Sequence, residues 1–197
     1  TPLDRLETCS NSHYTIPAYA KSSQNSTLES VLEQVTQAIV LDKEFTKDAD
    51  VRVHLFTKTS GKILAKATSA RKITSKLGAH LEPLSVSIVR FVQKNHLPML
   101  IDALRFDKLP FGALRNARII RELAPEWEPD EELWELLSKK VPPAPHVILT
   151  ALGYDPTFAA CEWCGAGPRY FSFRTQLFLC VACAPYRGNA ADCVDLE

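Results

Sequence analysis

The rhythm of apolar and polar positions changes twice along the chain. Up to about Gln24 there is none: Ser, Thr and Asn dominate, with scattered aromatics, which reads as a polar N-terminal extension. Thr27-Leu-Glu-Ser30 has the form of a capping box and predicts a short helix through Val35. From Thr36 the period becomes two. Residues 37–41 are apolar and β-branched, and the polar stretch 42–50 reads as a loop. Residues 51–57 alternate, with Val51, Val53 and Leu55 on one face and Arg52, His54 and Phe56 on the other. Thr59-Ser-Gly61 offers a turn. Residues 62–67 return with Ile63, Ala65 and Ala67 inward and Lys62 and Lys66 outward, which completes a hairpin. Residues 73–81 read as a short helix or turn closed by Pro83. Residues 86–93 and 99–106 give two further strands, joined around Asn95-His-Leu-Pro98. Five short strands with a helical interruption after the third fit a small closed barrel of the OB type.

Pro110 ends the β texture and the period lengthens to between three and four. Leu114, Ala117, Ile120 and Leu123 mark one helix over 111–123, with Arg115, Arg118 and Arg121 on a neighbouring face. Pro129, followed by Asp130, Glu131 and Glu132, opens a second helix that runs to Lys139-Lys140, with charges that complement the helix dipole at both ends. Its buried face is Leu133, Trp134, Leu136 and Leu137. Pro142, Pro143 and Pro145 make a stiff link, and 146–152 form a third short helix stopped by Gly153. The expected division is therefore an extension over 1–35, a barrel over 36–109, and a helical part over 110–197. The fold class is α+β.

Within that last part stands the most specific chemical signal. Cys161-Glu-Trp-Cys164-Gly165 is answered fifteen residues later by Cys180-Val-Ala-Cys183. Two Cys-x-x-Cys pairs at this separation have the spacing of a structural Zn²⁺ site. Four thiolates close a tetrahedron and leave no open position, so such a zinc holds structure and does no chemistry. Two disulfides or four unconnected thiols are the other readings. The absence of a basic-then-apolar leader in the sequence favours a reducing compartment, and so the metal. Cys9 and Cys193 are left over as spare thiols. The zinc unit, over 161–183, follows the third helix directly and is expected to pack on it.

Composition adds little until charge is mapped. Apolar residues make up 46% and charged residues 23% of 197, and the formal net charge is zero. No apolar run is long enough to span a bilayer, so no membrane association is expected. The chain begins at Thr1 without a Met, as a processed or trimmed start would. Between Lys47 and His80, however, eight cations (Lys47, Arg52, Lys58, Lys62, Lys66, Arg71, Lys72 and Lys76) face only two acids, Asp48 and Asp50. The compensating acids lie over 122–135. Closely spaced cations are what a phosphate backbone requires, and this segregation favours nucleic acid over a merely solvated face. Phe56, His54, Phe91 and Phe106 are candidates for stacking on bases, although aromatics on a barrel are more often core. Enzymatic signatures are missing: there is no Gly-rich phosphate loop, no His-Glu-x-x-His and no nucleophile elbow. The five histidines are scattered singly. A zinc-stapled scaffold whose basic face meets an acidic protein is the competing reading, and a nuclease with unclustered carboxylates is a third.

A chain with these parts in this order resembles the RecO family of bacterial recombination mediators. The residues that carry the likeness are Ala38-Ile-Val-Leu41, Asp50 with Val51 to Thr57, Gly61-Lys-Ile63, Ala70-Arg-Lys72, Ser75-Lys-Leu77 and His80-Leu-Glu-Pro83. Leu152-Gly-Tyr-Asp-Pro156 and the two cysteine pairs complete it. The resemblance implies binding of single- and double-stranded DNA, annealing of complementary strands, and action with RecR and the single-stranded-DNA-binding protein to load RecA, in the cytoplasm and at the nucleoid, without catalysis. It places Arg52, Lys62, Arg71, Lys72 and Lys76 at the DNA, to which charge alone adds Lys58 and Lys66. The chain departs from the family pattern at Ser69, where a Gly is common, and before the third cysteine, where a Gly is also frequent. Its helical middle, 111–152, is shorter than the family's usual one.

Overall fold

The computed structural model describes residues 32–46, 49–72, 75–93, 97–187 and 190–197. The polar extension, the capping-box residues of the expected first helix, Cys9 and Lys47 lie outside them. Residues Val31–Glu197 form one compact unit.

Five strands close into a barrel: β1 (Leu32–Phe45), β2 (Val51–Thr57), β3 (Gly61–Ala67), β4 (Ser85–Gln93) and β5 (Met99–Lys108). Their spatial order is β1-β2-β3-β5-β4, and β1 bonds to both β2 and β4. The β3–β5 seam is parallel and carries only two residue pairs, Lys66 with Met99 and Ala67 with Leu100. This is the OB arrangement expected from the strand pattern. Alternation decides what fills it. Ala38, Val40, Val53, Leu55, Ile63, Ala65, Val89 and Phe91 point inward and form one buried cluster.

Strand β1 is the main departure. Residues Leu32–Val35, expected to end a helix, are strand and pair with Arg90–Gln93 of β4. A continuous ladder outweighs a cap whose apolar face is thin. At its other end the strand runs on through Asp42–Phe45, expected as loop, because a bulge between Val40 and Asp42 resets the register against β2. One extra residue there reverses the alternation. Leu41 and Asp42 both face out, while Lys43 and Phe45 stand opposite Val53 and Val51 on the barrel's inner side. Of the helix or turn expected over 73–81, the described residues show one 3₁₀ turn, Gly78–His80.

Three helices follow: α1 (Leu114–Leu123), α2 (Glu131–Ser138) and α3 (Pro145–Ala151). Asp130, not Pro129, sets the start of α2, its carboxylate accepting the Leu133 N–H at 2.9 Å. Pro145 is the first residue of α3 rather than the end of the proline link. Helix α1 lies on the outer side of β1 and β2. Ile39, Leu41 and Phe56 join Ala117, Ile120, Leu133, Trp134 and Leu149 there in a second buried cluster. Phe56, on the outward face by alternation, is 1% exposed and stacks on Trp134 at 6.2 Å. The Asn116 amide donates to the Pro143 carbonyl and ties α1 to the proline link.

The chain ends in a three-stranded sheet, β6 (Tyr170–Ser172), β7 (Leu177–Leu179) and β8 (Cys193–Asp195), with the short helix α4 (Ala184–Arg187) between the last two. Phe171, Val194 and Leu196 belong to the same cluster as α1–α3, so this sheet is docked on the helices.

Candidate metal centre and nucleic-acid interface

The two cysteine pairs meet because the β6–β7 hairpin folds them together. Tyr170 pairs with Leu179, and the Glu162 N–H donates to the Phe178 carbonyl at 3.2 Å. In the first pair the Gly165 N–H returns to the Cys161 carbonyl, and Gly165 takes the left-handed φ of +71° that the tight turn needs. In the second, Ala184 N–H bonds to Cys180 O and starts α4. All four Sγ atoms lie within 4.8 Å of one another, with Cys164 Sγ 3.5 Å from Cys180 Sγ, and no two are bonded as a disulfide. A tetrahedral zinc with bonds of about 2.3 Å places its sulfurs about 3.8 Å apart, so the donor set fits zinc in both chemistry and spacing. Crowding splits the thiols. Backbone N–H donation, from Cys180 first, pulls Cys161 down to about 6, and the neighbouring thiols, Cys164 first, push Cys183 up to about 12. Leu179, Tyr170 and Ala184 wall the cluster. Among the described residues no other group of His, Cys, Asp or Glu is so placed.

The seven basic residues singled out in the sequence separate into three places. Arg52 and Lys66 are a cross-strand pair at the Val51–Ala67 end of the hairpin. The connection beyond β3 starts at that same end, where the Arg71 N–H donates to the Ala49 carbonyl at 3.0 Å and Lys72 acts on Asp50. The Ser75 N–H returns to the Lys72 carbonyl and keeps Lys76 close, and Arg71, Lys72 and Lys76 are all exposed. This loop folds back tightly: a Cβ on Gly78 would lie 2.7 Å from the Ala70 carbonyl. Lys58 sits at the opposite turn of the hairpin, six residues along β2 from Arg52 and so about 20 Å away. Lys62 is half-buried towards the helices, its ammonium donating to the Arg121 carbonyl at 3.0 Å. Burial lowers its pKa, against the pull of Glu126 and Glu122.

Asp50 organises the shared end. Its carboxylate accepts the Ser69 N–H at 2.7 Å and holds Lys66 at 2.9 Å. Of the aromatics, Phe56 and Phe91 are core and His54 is bonded to Glu44, which leaves Phe106 exposed on β5. The sequence reading passed over Lys43 and Phe45 beside Arg71. Their signal is the bulge, which single-sequence alternation does not announce. The arginines of α1 are likewise engaged: Arg121 with Asp42 and Glu122, Arg115 with the Glu197 carbonyl, and Arg118 with the Ala191 carbonyl and over the Phe173 ring.

Comparison with known proteins joins these parts. A family model described as "Recombination protein O N terminal" matches residues 32–104, the barrel without its last few residues. The chain is 30% identical to a DNA repair protein RecO of Thermodesulfovibrio yellowstonii, covering 76% of this chain and 69% of that one. It is also 30% identical to the protein of the same name from Anaeromyxobacter sp. (strain K), over 70% of this chain and 65% of that one. A match to Cutibacterium acnes, at 26% identity, covers 76% and 73% respectively. The barrel and the sequence that follows it both carry the likeness, and the chain belongs to the RecO family.

Proposed function

We propose that this chain acts in DNA repair and recombination as a non-catalytic mediator that captures the DNA backbone at one end of its barrel. The observation that carries this is the gathering of Arg52, Lys66, Arg71, Lys72 and Lys76 at the Val51–Ala67 end, while the acids of 122–135 lie on the helical side. Cations so placed neutralise phosphates and release counterions. Two complementary strands held there would repel each other less, which favours annealing. By kinship with relatives named for DNA repair, the same protein would act with RecR and the single-stranded-DNA-binding protein to load RecA, in the cytoplasm at the nucleoid. Zinc held by Cys161, Cys164, Cys180 and Cys183 supplies no chemistry in this reading. It fixes the C-terminal sheet. Lys58 and Lys62 fall outside the interface, the first by distance and the second by burial.

The test is fluorescence anisotropy of a labelled single strand across a salt series. Wild type should bind with a negative slope against log salt. Changing Arg71, Lys72 and Lys76 together to Ala should weaken binding and make the slope shallower by about 2, at roughly 0.7 per lost phosphate contact. Binding that ignores both salt and those residues would instead favour an acidic protein as the partner of this face.

A further inference from the structure

The mouth of the barrel, at the same end as the basic cluster, is more than a charged rim. Strand β1 ends on Phe45, whose cross-strand partner Val51 is buried in the barrel interior. Phe45 shares Val51's side of the ladder, but it stands where the barrel opens and is 65% exposed. The bulge at Val40–Asp42 puts it there. Continued from Ala38 and Val40, simple alternation would have sent Phe45 to the outer face. The same reversal brings Lys43 inward, two residues before.

Around this ring the chemistry is specific. Lys43 Nζ lies 5.6 Å and Arg71 Cζ 5.4 Å from the ring centroid. Both contacts are within the range in which a cation is drawn to an aromatic face. The ring is one wall of a cavity of about 330 Å³, whose apolar lining is Val51, Ala70 and Leu81 and whose rim carries Lys43, Arg71 and Glu82. Glu82 is held by Lys43 at 2.6 Å. An apolar floor, an exposed ring and guanidinium and ammonium groups at the edge suit one nucleotide of a single strand. The base has a flat face to stack and no hydrogen-bond demand that this floor would have to meet on that face. The phosphate attached to it needs the cations. In a duplex both faces of the base are already covered by its neighbours.

We infer that Phe45 is a stacking platform for one unpaired base, in a site completed by Lys43 and Arg71, and that this contact favours single over double strands. This rests on the DNA reading above. The occupant is set by charge: among the described residues the rim holds two cations beside one carboxylate, and the loop that carries Arg71 continues to Lys72 and Lys76.

The experiment uses the full chain and three probes: labelled oligothymidylate, an abasic strand of the same length, and a duplex. Phe45→Ala should weaken oligothymidylate binding about 5- to 150-fold, the effect of removing one stacked base. The salt slope should stay as in wild type, since no ionic contact is lost. Affinity for the abasic strand and the duplex should be unchanged, and Phe45→Trp should restore oligothymidylate binding. If Phe45→Ala binds oligothymidylate as wild type does while the Arg71, Lys72 and Lys76 variant is weakened, the platform is overturned and the DNA reading stands. Equal weakening on oligothymidylate and the abasic strand would also overturn it, because the ring would then act only by placing Arg71. Failure of wild type to bind any of the three probes overturns both. The thermal midpoint of Phe45→Ala, expected near wild type because most of the ring is outside the core, shows that the comparison is between folded proteins.

Discussion

Ser69 and Gln176 share a backbone conformation that neither side chain favours: φ is +56° at the first and +55° at the second. The resemblance to the family leads one to expect glycine at Ser69 and another shortly before the third cysteine, and Gln176 stands four residues before Cys180. Only glycine takes this region without steric cost, which is about 1–2 kcal/mol for other residues. Ser69→Gly and Gln176→Gly should therefore each raise stability by about 1 kcal/mol, read as a higher denaturant midpoint with an unchanged slope. Ser69 is held in place by its N–H to Asp50, whose carboxyl is kept below the usual range by Lys66 first and by that N–H second. A lowered carboxyl pKa means that the unfolded chain takes up the proton first. The stability Asp50 contributes is present above about pH 4 and is lost as pH falls through the lower folded value. Asp50→Asn should be less stable at pH 7 and should show a flatter decline below pH 4 in denaturant titrations.

At the scale of elements, strand alternation was readable for the side that faces the barrel interior, as in β2 and β3, whose inward residues follow directly from the pattern. It was not readable where both faces are covered. Phe56 looks outward by period, and so looks like a surface aromatic, but helix α2 seals it with Trp134. Lys62 looks like a free surface cation until the 126–127 segment pairs with it. Trp127 N–H donates to the Lys62 carbonyl at 2.9 Å, and the ammonium reaches α1. Such facts depend on what lies against a strand, which its own residues do not state. The same bracket constrains Gly61, which has φ +68° and whose Cβ would fall 1.9 Å from the Glu128 carbonyl oxygen. Gly61→Ala should cost about 2 kcal/mol or more. Lys62→Ala should lower the thermal midpoint but leave the salt slope of DNA binding as in wild type, in contrast to the loop cations.

For the molecule as a whole, we propose that barrel and zinc unit melt together, because Ile39 and Phe56 of the barrel share one core with Phe171 and Val194 of the C-terminal sheet. Elemental analysis should find one zinc per chain. Complete chelation should lower the thermal midpoint in a single transition, since the binding energy of a structural zinc, about 10–16 kcal/mol in apparent terms, becomes folding energy. Two resolved transitions, the first alone sensitive to chelator, would separate the units. The cysteine signal was legible because metal chemistry dictates spacing. The shared core was not, because no local pattern encodes which face of a helix a distant strand will meet.

Strand β1 has a consequence in time as well as in space. It is the first strand among the described residues, and eight of its residues wait for partners in β4, which begins forty residues after β1 ends. Until β4 exists, the Leu32–Ile39 edge of this fourteen-residue strand has no ladder partner. Closing such distant pairings is the slow step for β-rich chains, of order milliseconds to seconds. The chain is thus most exposed to self-association in the interval before β4 closes on β1. Refolding yield should fall steeply with protein concentration, and the loss should be confined to that interval.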